Sequence, residues 1–539
     1  MKILTAAAMR EADRQTAQQL GLPGVVLMES AAMRLAELVL SLDFQPRRVV
    51  LIAGPGNNGG DALAAARLLR AAGTPLSLWT TVPLEAYRGD AGINARFLQA
   101  CAFPLRCLAG APRGEALDSF RADLEQAGLV VDGLLGTGLS RPVEGLAAAV
   151  IEAINDCAAP VLAVDIPSGV NADSGAVMGC AVRARWTVTF AFPKPGLLLY
   201  PGADYCGELF VGEINVPSFL VEREPMALTT AGWVREMLPL RQAEMHKGDA
   251  GRVLVVAGST GMTGAAVLAA RAALQGGAGL VYLAAPENLC PSLEARLLEV
   301  ITLPLPETAP GVIGPAALPL ILEQAGLCHV MAVGPGLAAA PETAALLAEL
   351  LPQSPVPLVL DAGALSALTG RSEVLSQARQ PLVITPHPGE MGRLAGLSTA
   401  VVQQSRLEAA RRFAREWSCT LVLKGAHTVI GAPGGAVYIN PTGGPALATA
   451  GTGDLLTGLI ASLIAQGLAP TGAARAGAFI HGLAGDLLGP GRGHSAADVL
   501  AAFPRAFEYL EQPISGPSPY LKPVHPLSLY RDGSRDNFL

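Results

Sequence analysis

The chain has 539 residues, enough for about two to four domains of the usual size. It is 51% hydrophobic and 15% charged, which is typical of a globular protein with large cores. The net charge of −7, without a long Lys/Arg cluster, argues against nucleic acid or an anionic membrane as a partner. Eight cysteines without a CxxC pair predict reduced thiols and a cytoplasmic protein.

The N-terminus and the most apolar windows predict neither a targeting segment nor a membrane span. Charged side chains interrupt residues 1–14 before any long apolar block forms, which is unlike a signal peptide. The window 262–285 contains polar and charged residues, and the window 455–469 is short. Both windows are therefore interpreted as buried helices or strands.

The first 220 residues alternate between helix and strand patterns. Residues 3–42 have helical spacing with a break at Gly21–Gly24, and a buried strand at 47–53 leads through glycines into a helix predicted over 62–72. Three later strands also end in polar or glycine-rich loops: 129–132, 161–165 and 186–190. Because the carboxyl ends of parallel strands meet at one edge of a sheet, the pattern predicts a Rossmann-like three-layer α/β domain over 1–220.

A second α/β series follows a segment of mixed charge. Residues 221–241 are interpreted as a linker because they show no sustained period, and residues 242–511 as a second α/β domain. Its predicted strands also end in glycine-rich or polar loops: 252–257, 329–333, 358–360, 382–384 and 419–423. The tail 512–539 is rich in Pro, Ser and charged residues, which predicts a flexible segment.

Polar residues at the strand ends of the first half indicate a binding site. Segment 57–61, NNGGD, offers backbone N–H groups, amides and a carboxylate that suit a phosphate or a sugar. Asp132 and Asp165 would lie at the same edge as Asn58, where they could hold a cation, or one carboxylate could do acid–base work. Lys194, between two prolines, could bind an anion or transfer a proton. A sharp loop, turn capping and a solvated lysine are the structural alternatives.

The second half carries a pattern that suits phosphate transfer. The glycines of segment 451–453 let backbone N–H groups converge at a helix start as an anion hole, and Asp454 is placed to act as a base. Lys424 can contact phosphate, and segment 425–428 can wrap a nucleotide. His387, between two prolines, has a fixed backbone and is a candidate ligand contact. The chain lacks GxxxxGK[ST], which excludes P-loop chemistry, and its histidines lack zinc-ligand spacing.

These motifs resemble those of the bifunctional NAD(P)H-hydrate repair enzymes over nearly the whole chain except the tail. The first half is similar to the epimerase domain in three motifs: PGNNGGD at 55–61, DGLLGTGLSRP at 132–142 and VDIPSG at 164–169. The second half is similar to the ADP-dependent dehydratase, of ribokinase-like α/β fold, in seven: KGDAGRVLVVAGS at 247–259, TGAA at 263–266, VGPGL at 333–337, DAGAL at 361–365, TPHPGE at 385–390, KGAHT at 424–428 and AGTGD at 450–454. One departure is Ala62, where glycine is expected after NNGGD.

The resemblance implies a role for each matching residue. In the first domain, a potassium ion would be held by Asn58, Asp132 and Ser168. The hydrated cofactor would contact Asn57, Asn58, Gly59, Gly60, Asp61, Gly136, Thr137, Gly138, Leu139, Ser140, Arg141, Pro142 and Asp165. In the second domain, the hydrate would contact Ala266, Gly336, His387 and Asp454. The adenine nucleotide, with Mg²⁺ on its phosphates, would contact Lys424, Gly425, Ala426, His427, Thr428 and Gly453. The anion hole would comprise Gly451, Thr452 and Gly453.

The implied reaction is the repair of hydrated NADH and NADPH by a cytoplasmic homo-oligomer. The first domain would interconvert the R and S hydrates, with Asp165 as acid–base and Lys194 as a second candidate. The second would dehydrate the S form at the expense of ADP, with Asp454 as base, giving NAD(P)H, AMP and phosphate. The alternatives are a ribokinase-type small-molecule kinase fused to a Rossmann-like cofactor-binding domain, and a non-enzymatic binding module in the first half.

Overall fold

The computed structural model describes residues 1–42, 48–109, 113–512 and 518–527. They form two compact units: residues 1–224 with 518–527, and residues 225–512. Both units contain a mainly parallel sheet with helices, which confirms the predicted α/β class. Within the described ranges, no helix is both long enough and apolar enough to cross a membrane.

The first unit is a parallel sheet covered by helices on both faces. Its strands are β1 (Arg48–Ala53), β2 (Leu76–Thr80), β3 (Leu105–Cys107), β4 (Ala127–Gly133), β5 (Val161–Val164), β6 (Trp186–Phe190) and β7 (Glu208–Gly212). Its helices are α1 (Ala6–Gln18), α2 (Gly24–Ser41), α3 (Asn57–Ala71), α4 (Gly89–Ala100), α5 (Arg113–Glu125), α6 (Leu146–Asp156) and α7 (Gly202–Cys206). One core packs residues of α1 to α4 on one face of the sheet, and a second packs residues of α5 and α6 on the other. These layers form the predicted Rossmann-like three-layer arrangement.

The strand order of this sheet creates a crevice at its carboxyl edge. The parallel strands lie in the order β3-β2-β1-β4-β5-β6-β7, so the direction of the connections reverses between β1 and β4. Ile52 of β1 is paired with Asp132 of β4, which is paired in turn with Ala163 of β5. Ligands of open α/β sheets bind at such a reversal, so the fold places Asp132 beside the expected binding crevice.

The second unit contains a long mixed sheet of ten strands and a separate sheet of two strands. Its strands are β8 (Met226–Leu228), β9 (Arg252–Val256), β10 (Leu280–Pro286), β11 (Ile301–Leu305), β12 (Glu307–Ala309), β13 (Val312–Ile313), β14 (Val330–Val333), β15 (Leu358–Leu360), β16 (Leu382–Ile384), β17 (Thr420–Leu423), β18 (Val429–Gly431) and β19 (Val437–Ile439). Its helices are α8 (Ala231–Met237), α9 (Thr263–Gln275), α10 (Cys290–Glu294), α11 (Leu318–Ala325), α12 (Pro341–Gln353), α13 (Gly363–Ala367), α14 (Pro388–Ala395), α15 (Thr399–Gln404), α16 (Arg406–Glu416), α17 (Thr452–Ala465), α18 (Pro470–Leu487), α19 (Ala496–Ala501) and α20 (Phe503–Glu511).

The topology of the second sheet brings its polar loops together. The strand order is β11-β10-β9-β14-β15-β16-β17-β18-β19-β8, and all pairs from β11 to β17 are parallel. The loops after β15, β16 and β17 therefore lie at one edge. Helix α17 is buried along most of its length and packs closely on α9, since a Cβ at Gly458 would lie 2.1 Å from the Ala269 carbonyl oxygen.

The structure differs from the sequence interpretation at the linker and at the tail. Residues interpreted as a linker contain β8, which pairs with β19, and α8. Within the predicted flexible tail, strand β20 (Leu521–Pro523) pairs antiparallel with β7, and residues 513–517 and 528–539 lie outside the described residues. Both segments were too short to show a period, and backbone pairing with a distant strand decides their structure.

Candidate functional sites

The first candidate site is a cavity of about 560 Å³ at the carboxyl edge of the first sheet. Residues at or just after the ends of four neighbouring strands contribute to its wall, among them Asn58, Leu134, Asp165 and Phe190. Most of the residues predicted to bind the hydrate line it: Asn57, Asn58, Asp61, Gly136, Thr137, Gly138, Leu139, Ser140, Arg141 and Asp165. Lys194 lines the cavity as well. The fold therefore brings together loops that are far apart in sequence.

Asn58, Asp132 and Ser168 lie in one buried network beside this cavity. The Ser168 hydroxyl donates to Asp132 Oδ1 at 2.6 Å, and the Ser168 N–H donates to Asp132 Oδ2 at 2.8 Å. Asn58 Nδ2 donates to the Leu135 carbonyl oxygen at 3.0 Å, while Asn58 Oδ1 is buried without a hydrogen-bond partner in the described chain. Burial raises the pKa of the Asp132 carboxyl, and hydrogen bonds from Ser168 and Leu134 oppose that rise. A desolvated carboxylate beside an unpartnered amide oxygen suits a cation.

Asp165 and Lys194 form an ion pair in the cavity wall. Lys194 Nζ lies 2.5 Å from Asp165 Oδ1 and also donates to Thr189 Oγ1 at 2.9 Å. The Lys194 side chain is only 1% exposed, whereas that of Asp165 is 16% exposed. Asp165 has a positive φ of 62°, a strained conformation for a residue with a side chain, and such strain clusters at functional sites. The two candidate acid–base residues are therefore one coupled group.

The other three residues predicted to bind the hydrate, Gly59, Gly60 and Pro142, make close packing contacts. A Cβ at Gly59 would lie 1.8 Å from the Gly54 carbonyl oxygen, so this position allows the first turn of α3 to approach β1. Gly60 packs on Ala91 in the same way, with a Cβ distance of 2.7 Å, and Pro142 lies beside Gly179. These contacts explain why the motif requires small residues, independently of any ligand.

The glycine-rich motif of the first half is helical earlier than the sequence analysis indicated. The helix predicted over 62–72 begins at Asn57, so NNGGD forms the first turn of α3. Backbone N–H groups of a first turn have no partner within the helix, and the helix dipole favours negative charge there. The motif therefore presents a helix N-terminus, rather than a loop, to the cavity.

The second candidate site contains a buried charge network around Lys424. Lys424 Nζ lies 2.7 Å from Asp361 Oδ1 and 3.9 Å from Glu390 Oε2. Asp361 also accepts a hydrogen bond from the Thr457 hydroxyl at 2.8 Å. A Cβ at Gly453 would lie 3.3 Å from Lys424 Nζ, which places the glycines of α17 against this lysine. The loops after β15, β16 and β17 thus meet the start of α17, as the predicted phosphate-transfer site requires.

Asp454 lies in the first turn of α17 beside this network. Burial and the neighbouring carboxylate of Asp361 raise its pKa to about 7, although Lys424 acts in the opposite direction. A carboxyl group with a pKa near neutrality is a stronger base than an exposed aspartate and is still largely ionised above that pH. These properties suit the predicted role of Asp454 as a base.

The predicted anion hole depends on backbone groups and not on the Thr452 side chain. Gly451 precedes α17 with a φ of +92°, which a glycine adopts without strain. The Thr452 hydroxyl donates to the carbonyl oxygens of Leu447 and Thr449, each at 3.0 Å, so it faces the preceding turn. The free N–H groups of the first turn of α17 remain as the anion-binding groups.

Arg406 forms hydrogen bonds with the backbone of the predicted nucleotide loop, Lys424–Thr428. Its guanidinium donates to the carbonyl oxygens of Leu423, Lys424 and Ala426 at 2.5 to 3.4 Å. Burial lowers the pKa of Arg406 to about 10. Within the loop, the Thr428 hydroxyl donates to the Gly425 carbonyl oxygen at 3.1 Å, and His427 has a φ of +49°. The loop is therefore a fixed backbone surface before any ligand arrives.

His387, Ala266 and Gly336 occupy distinct structural positions in the second unit. His387 Nδ1 accepts hydrogen bonds from the Gly389 and Glu390 N–H groups, so His387 caps α14 while half of its side chain remains exposed. Ala266 is buried in α9. A Cβ at Gly336 would lie 2.5 Å from the Met262 carbonyl oxygen, because the backbone there passes close to the start of α9. Of these three residues, His387 is the one whose side chain is exposed enough to contact a ligand.

Several polar residues of these sites were not singled out by the sequence analysis. Asp361 was assigned no role of its own within the DAGAL motif, although its position directly after a predicted strand indicates a side chain at the carboxyl edge of the sheet. Thr457 lies one helical turn after Asp454, a spacing that predicts the same helix face. Arg406 and Asp13 carried no motif, and only tertiary contacts place them.

Comparisons with known proteins cover both units. A family model described as NAD(P)H-hydrate dehydratase matches residues 253–503, and one described as YjeF-related protein N-terminus matches residues 24–196. A relative from Moorella thermoacetica, named as a bifunctional NAD(P)H-hydrate repair enzyme, is 45% identical over 523 residues, which are 95% of this chain and 98% of that one. A relative of the same name from Escherichia coli is 34% identical over 508 residues, 92% of each chain.

A solved structure is similar to the second unit alone. The ADP/ATP-dependent NAD(P)H-hydrate dehydratase from Bacillus subtilis, co-crystallised with ATP and Mg²⁺, is 32% identical with a TM-score of 0.45. It covers 52% of this chain and 98% of its own. The family assignment rests on the two relatives, whose similarity covers 95% and 92% of this chain. The chain belongs to the family of bifunctional NAD(P)H-hydrate repair enzymes.

Proposed function

We propose that the first unit interconverts the R and S hydrates of NADH and NADPH, and that the second dehydrates the S form with ADP. The observation that supports this function most strongly is that each unit contains a cluster of charged residues suited to proton transfer. The chain also matches a named repair enzyme over 98% of that enzyme's length. One site holds a buried carboxylate–lysine pair in a cavity, and the other holds a base at a helix N-terminus beside a lysine. The proposed division of labour is residues 1–220 for epimerisation and 242–511 for dehydration.

The second site supports a dehydration that proceeds through a phosphorylated hydrate. Asp454 takes the proton of the hydroxyl on the carbon next to the ring nitrogen, and that oxygen attacks the terminal phosphorus of ADP, releasing AMP. The carbon–oxygen bond then breaks with its electron pair on phosphate, as the ring nitrogen shares its lone pair with the carbon. Loss of a proton from the adjacent carbon restores the reduced ring. Backbone N–H groups at the start of α17 stabilise charge on the transferring group.

Mg²⁺ fits the acidic side of this site. The carboxylates of Asp361 and Glu390 lie beside Lys424 and provide oxygen ligands of the kind that Mg²⁺ uses, together with nucleotide phosphates. Bound there, the ion would neutralise phosphate charge during transfer. The nucleotide itself would lie on loop 424–428, whose backbone Arg406 holds in place.

K⁺ fits the network of Asn58, Asp132 and Ser168 in the first unit. The unpartnered Asn58 Oδ1 and the buried Asp132 carboxylate supply oxygen ligands of partial and full negative charge. The ion would fix the helix start and the loop of residues 136–142 around the hydrate. The Asp165–Lys194 pair then acts as the acid–base group at the reacting carbon.

The compartment and the assembly are further proposals. A reducing cytoplasm suits the eight cysteines, all of which are free thiols. A homo-oligomer remains our proposal for the assembly.

A spectrophotometric assay tests the proposed function. Hydrated NADH, ADP, Mg²⁺ and K⁺ are incubated with the protein, and absorbance in the reduced-nicotinamide band is followed. We expect NADH to be regenerated with AMP and phosphate as co-products, and Asp454→Asn to lower this rate by about 100- to 10,000-fold because the base is lost. Absence of NADH recovery with ADP and also with ATP would reject the function. Recovery of a stable phosphorylated product instead would favour a kinase.

A further inference from the structure

Asp13 lines the cavity of the first unit although no motif includes it. It lies on α1, and the cavity wall that contains it also contains Asp61, Asp165 and Lys194. Helix α1 is firmly placed, because Met9 and Ala12 are buried in the core and the Ala6 N–H donates to Asp173 Oδ1 at 2.7 Å. The position of the Asp13 carboxyl is therefore set by a packed helix.

One oxygen of Asp13 has no partner. Asp13 Oδ1 is buried and accepts no hydrogen bond from any described residue. By contrast, Asp165 Oδ1 accepts from Lys194, Thr189 and the Phe190 N–H. Burying a carboxylate oxygen without a hydrogen-bond partner costs desolvation free energy. Because Asp13 lies in the cavity wall, a ligand bound in the cavity could supply that partner.

Burial and two neighbouring charges set the pKa of Asp13. Burial raises the pKa of Asp13 to about 6, with Asp165 adding to the rise and Lys194 opposing it. At neutral pH the protonated and ionised forms are therefore both accessible. The ionisable groups that line the same cavity are Arg10, Asp61, Asp90, Arg141, Asp165 and Lys194.

We propose that Asp13 is a second proton-transfer residue of the epimerisation, acting in the same cavity as the Asp165–Lys194 pair. This inference rests on the proposed epimerase function. Inversion at the hydroxyl-bearing carbon requires one bond to a heteroatom to break and to form again from the other face. One proton donor must serve the departing heteroatom, and the Lys194 ammonium already donates to Asp165 and Thr189.

The proton balance can be written for either departing atom. Asp13 gives its proton to the ring nitrogen or the hydroxyl oxygen as the electron pair of the broken bond passes to that atom. The heteroatom that stays shares its lone pair with the carbon, and if it is the hydroxyl oxygen, its own proton passes to Asp165. The bond forms again on the other face as these protons return.

The test is Asp13→Asn in the full-length protein. A mixture of R- and S-hydrated NADH with excess ADP is converted in two phases: a fast one for the S form and a slower one limited by epimerisation. We expect Asp13→Asn to keep the fast phase and to slow the second by about 100-fold or more, with little change in KM. Asp13→Glu should restore part of the epimerisation rate. The pH profile of the wild-type epimerisation rate should have an inflection near pH 6, and Asp13→Asn should lose it.

Two comparisons separate this role from a structural one. Asp173→Ala removes the acceptor of the hydrogen bond from the start of α1 without changing the cavity carboxyls, so it should retain epimerisation. The proposal is overturned if Asp13→Asn epimerises at the wild-type rate, or if Asp13→Glu and Asp173→Ala lose the second phase equally. A wild-type protein that never converts the R form faster than it epimerises unaided would instead overturn the epimerase function itself.

Discussion

At the scale of single residues, the second site depends on how three carboxylates share one lysine. Asp361 and Glu390 lie on one side of Lys424, and Asp454 approaches from the start of α17. Because Asp361 is closest to Lys424 and is also buried, Lys424 neutralises Asp361 and cannot fully neutralise Asp454. Burial is the first cause of the raised pKa of Asp454, and the Asp361 carboxylate adds to the rise while Lys424 opposes it.

This arrangement predicts the pH dependence of dehydration. Since Asp454 must be ionised to act as a base and its pKa is about 7, kcat/KM should fall as the pH drops below 7, by about tenfold per unit. Asp361→Asn removes a negative charge and frees Lys424 to act on Asp454, and both changes lower the pKa of Asp454. The acid limb of the kcat/KM profile should move to lower pH.

The measurement is a series of initial rates with saturating Mg²⁺ and ADP, for the wild type and for Asp361→Asn. Glu408→Gln is a suitable control because Glu408 is exposed and pairs only with Arg411 among the charges of the described chain. An acid limb that stays in place or moves to higher pH in Asp361→Asn would contradict this account of the base.

Residue pairings were the part of both sites that the sequence could not predict. Asp165 and Lys194 were each selected on their own, but nothing in their spacing indicated a 2.5 Å ion pair. The same holds for Lys424 and Asp361, which are 63 positions apart. A strand end fixes which edge of a sheet a side chain reaches, whereas its partner depends on the path of a second loop.

At the scale of elements, the start of α3 shows how a motif serves packing and binding together. The NNGGD segment begins a helix directly after Gly56, and its two glycines lie where β1 and α4 leave no room for a side chain. Close approach of this turn to the sheet lets Asn58 donate a hydrogen bond to the Leu135 carbonyl oxygen. The helix N-terminus and Asn58, a proposed cation ligand, therefore depend on the same backbone contact.

Gly59→Ala tests that contact. Its Cβ would lie 1.8 Å from the Gly54 carbonyl oxygen, so backbone must move, and we expect a loss of about 2 to 3 kcal/mol in stability. Thermal unfolding should show a lower Tm, and epimerisation should fall while dehydration in the second unit persists.

Gly56→Ala is the matched control in the same turn. Gly56 has a φ of −96°, which alanine tolerates, and no atom lies within 4 Å of its Cβ position. Its Tm should match that of the wild type. Equal Tm values for Gly59→Ala and the wild type would contradict the packing role of Gly59.

The segment interpreted as a linker is an element whose structure only tertiary contacts reveal. Helix α8 carries Trp233, whose ring centroid lies 3.4 Å from the guanidinium carbon of Arg475, and Tyr438 lies 3.9 Å away on the same guanidinium. Arg475 is 9% exposed, and its Nε donates to Thr229 Oγ1. An aromatic–arginine contact between residues so distant in sequence gives no local signal, so mixed charge suggested a linker.

At the scale of the whole molecule, the two activities are assigned to separate units with separate cores. Each proposed base lies in its own unit, Asp165 in the first and Asp454 in the second. Point variants should therefore separate the activities without dividing the chain. Repair of a mixed hydrate requires both, because only one configuration can be aligned with ADP in the second site.

Mixing two variants tests this division. Asp165→Asn should convert the S form and leave the R form to spontaneous epimerisation, and Asp454→Ala should epimerise without regenerating NADH. Combined at equal concentration, the two should restore complete conversion, because the hydrate diffuses between molecules. Conversion measured by absorbance and by separation of the epimers would show this. Failure of the mixture to exceed Asp165→Asn alone would mean that epimerisation and dehydration are not divided in this way.

Local sequence patterns were enough to predict the α/β class of both halves, the strand ends that carry polar loops and the family. Those features are local: short apolar runs followed by glycine-rich segments, and motifs in a fixed order. The tertiary structure decided which of those residues meet, and it added Asp13, Asp361 and Arg406 to the sites. It also showed that the predicted linker and tail each contain a strand. These strands form because pairing with β19 and β7 supplies hydrogen bonds that no local pattern encodes. Burial, and with it the proton affinity of Asp454, exists only once the chain has folded around it.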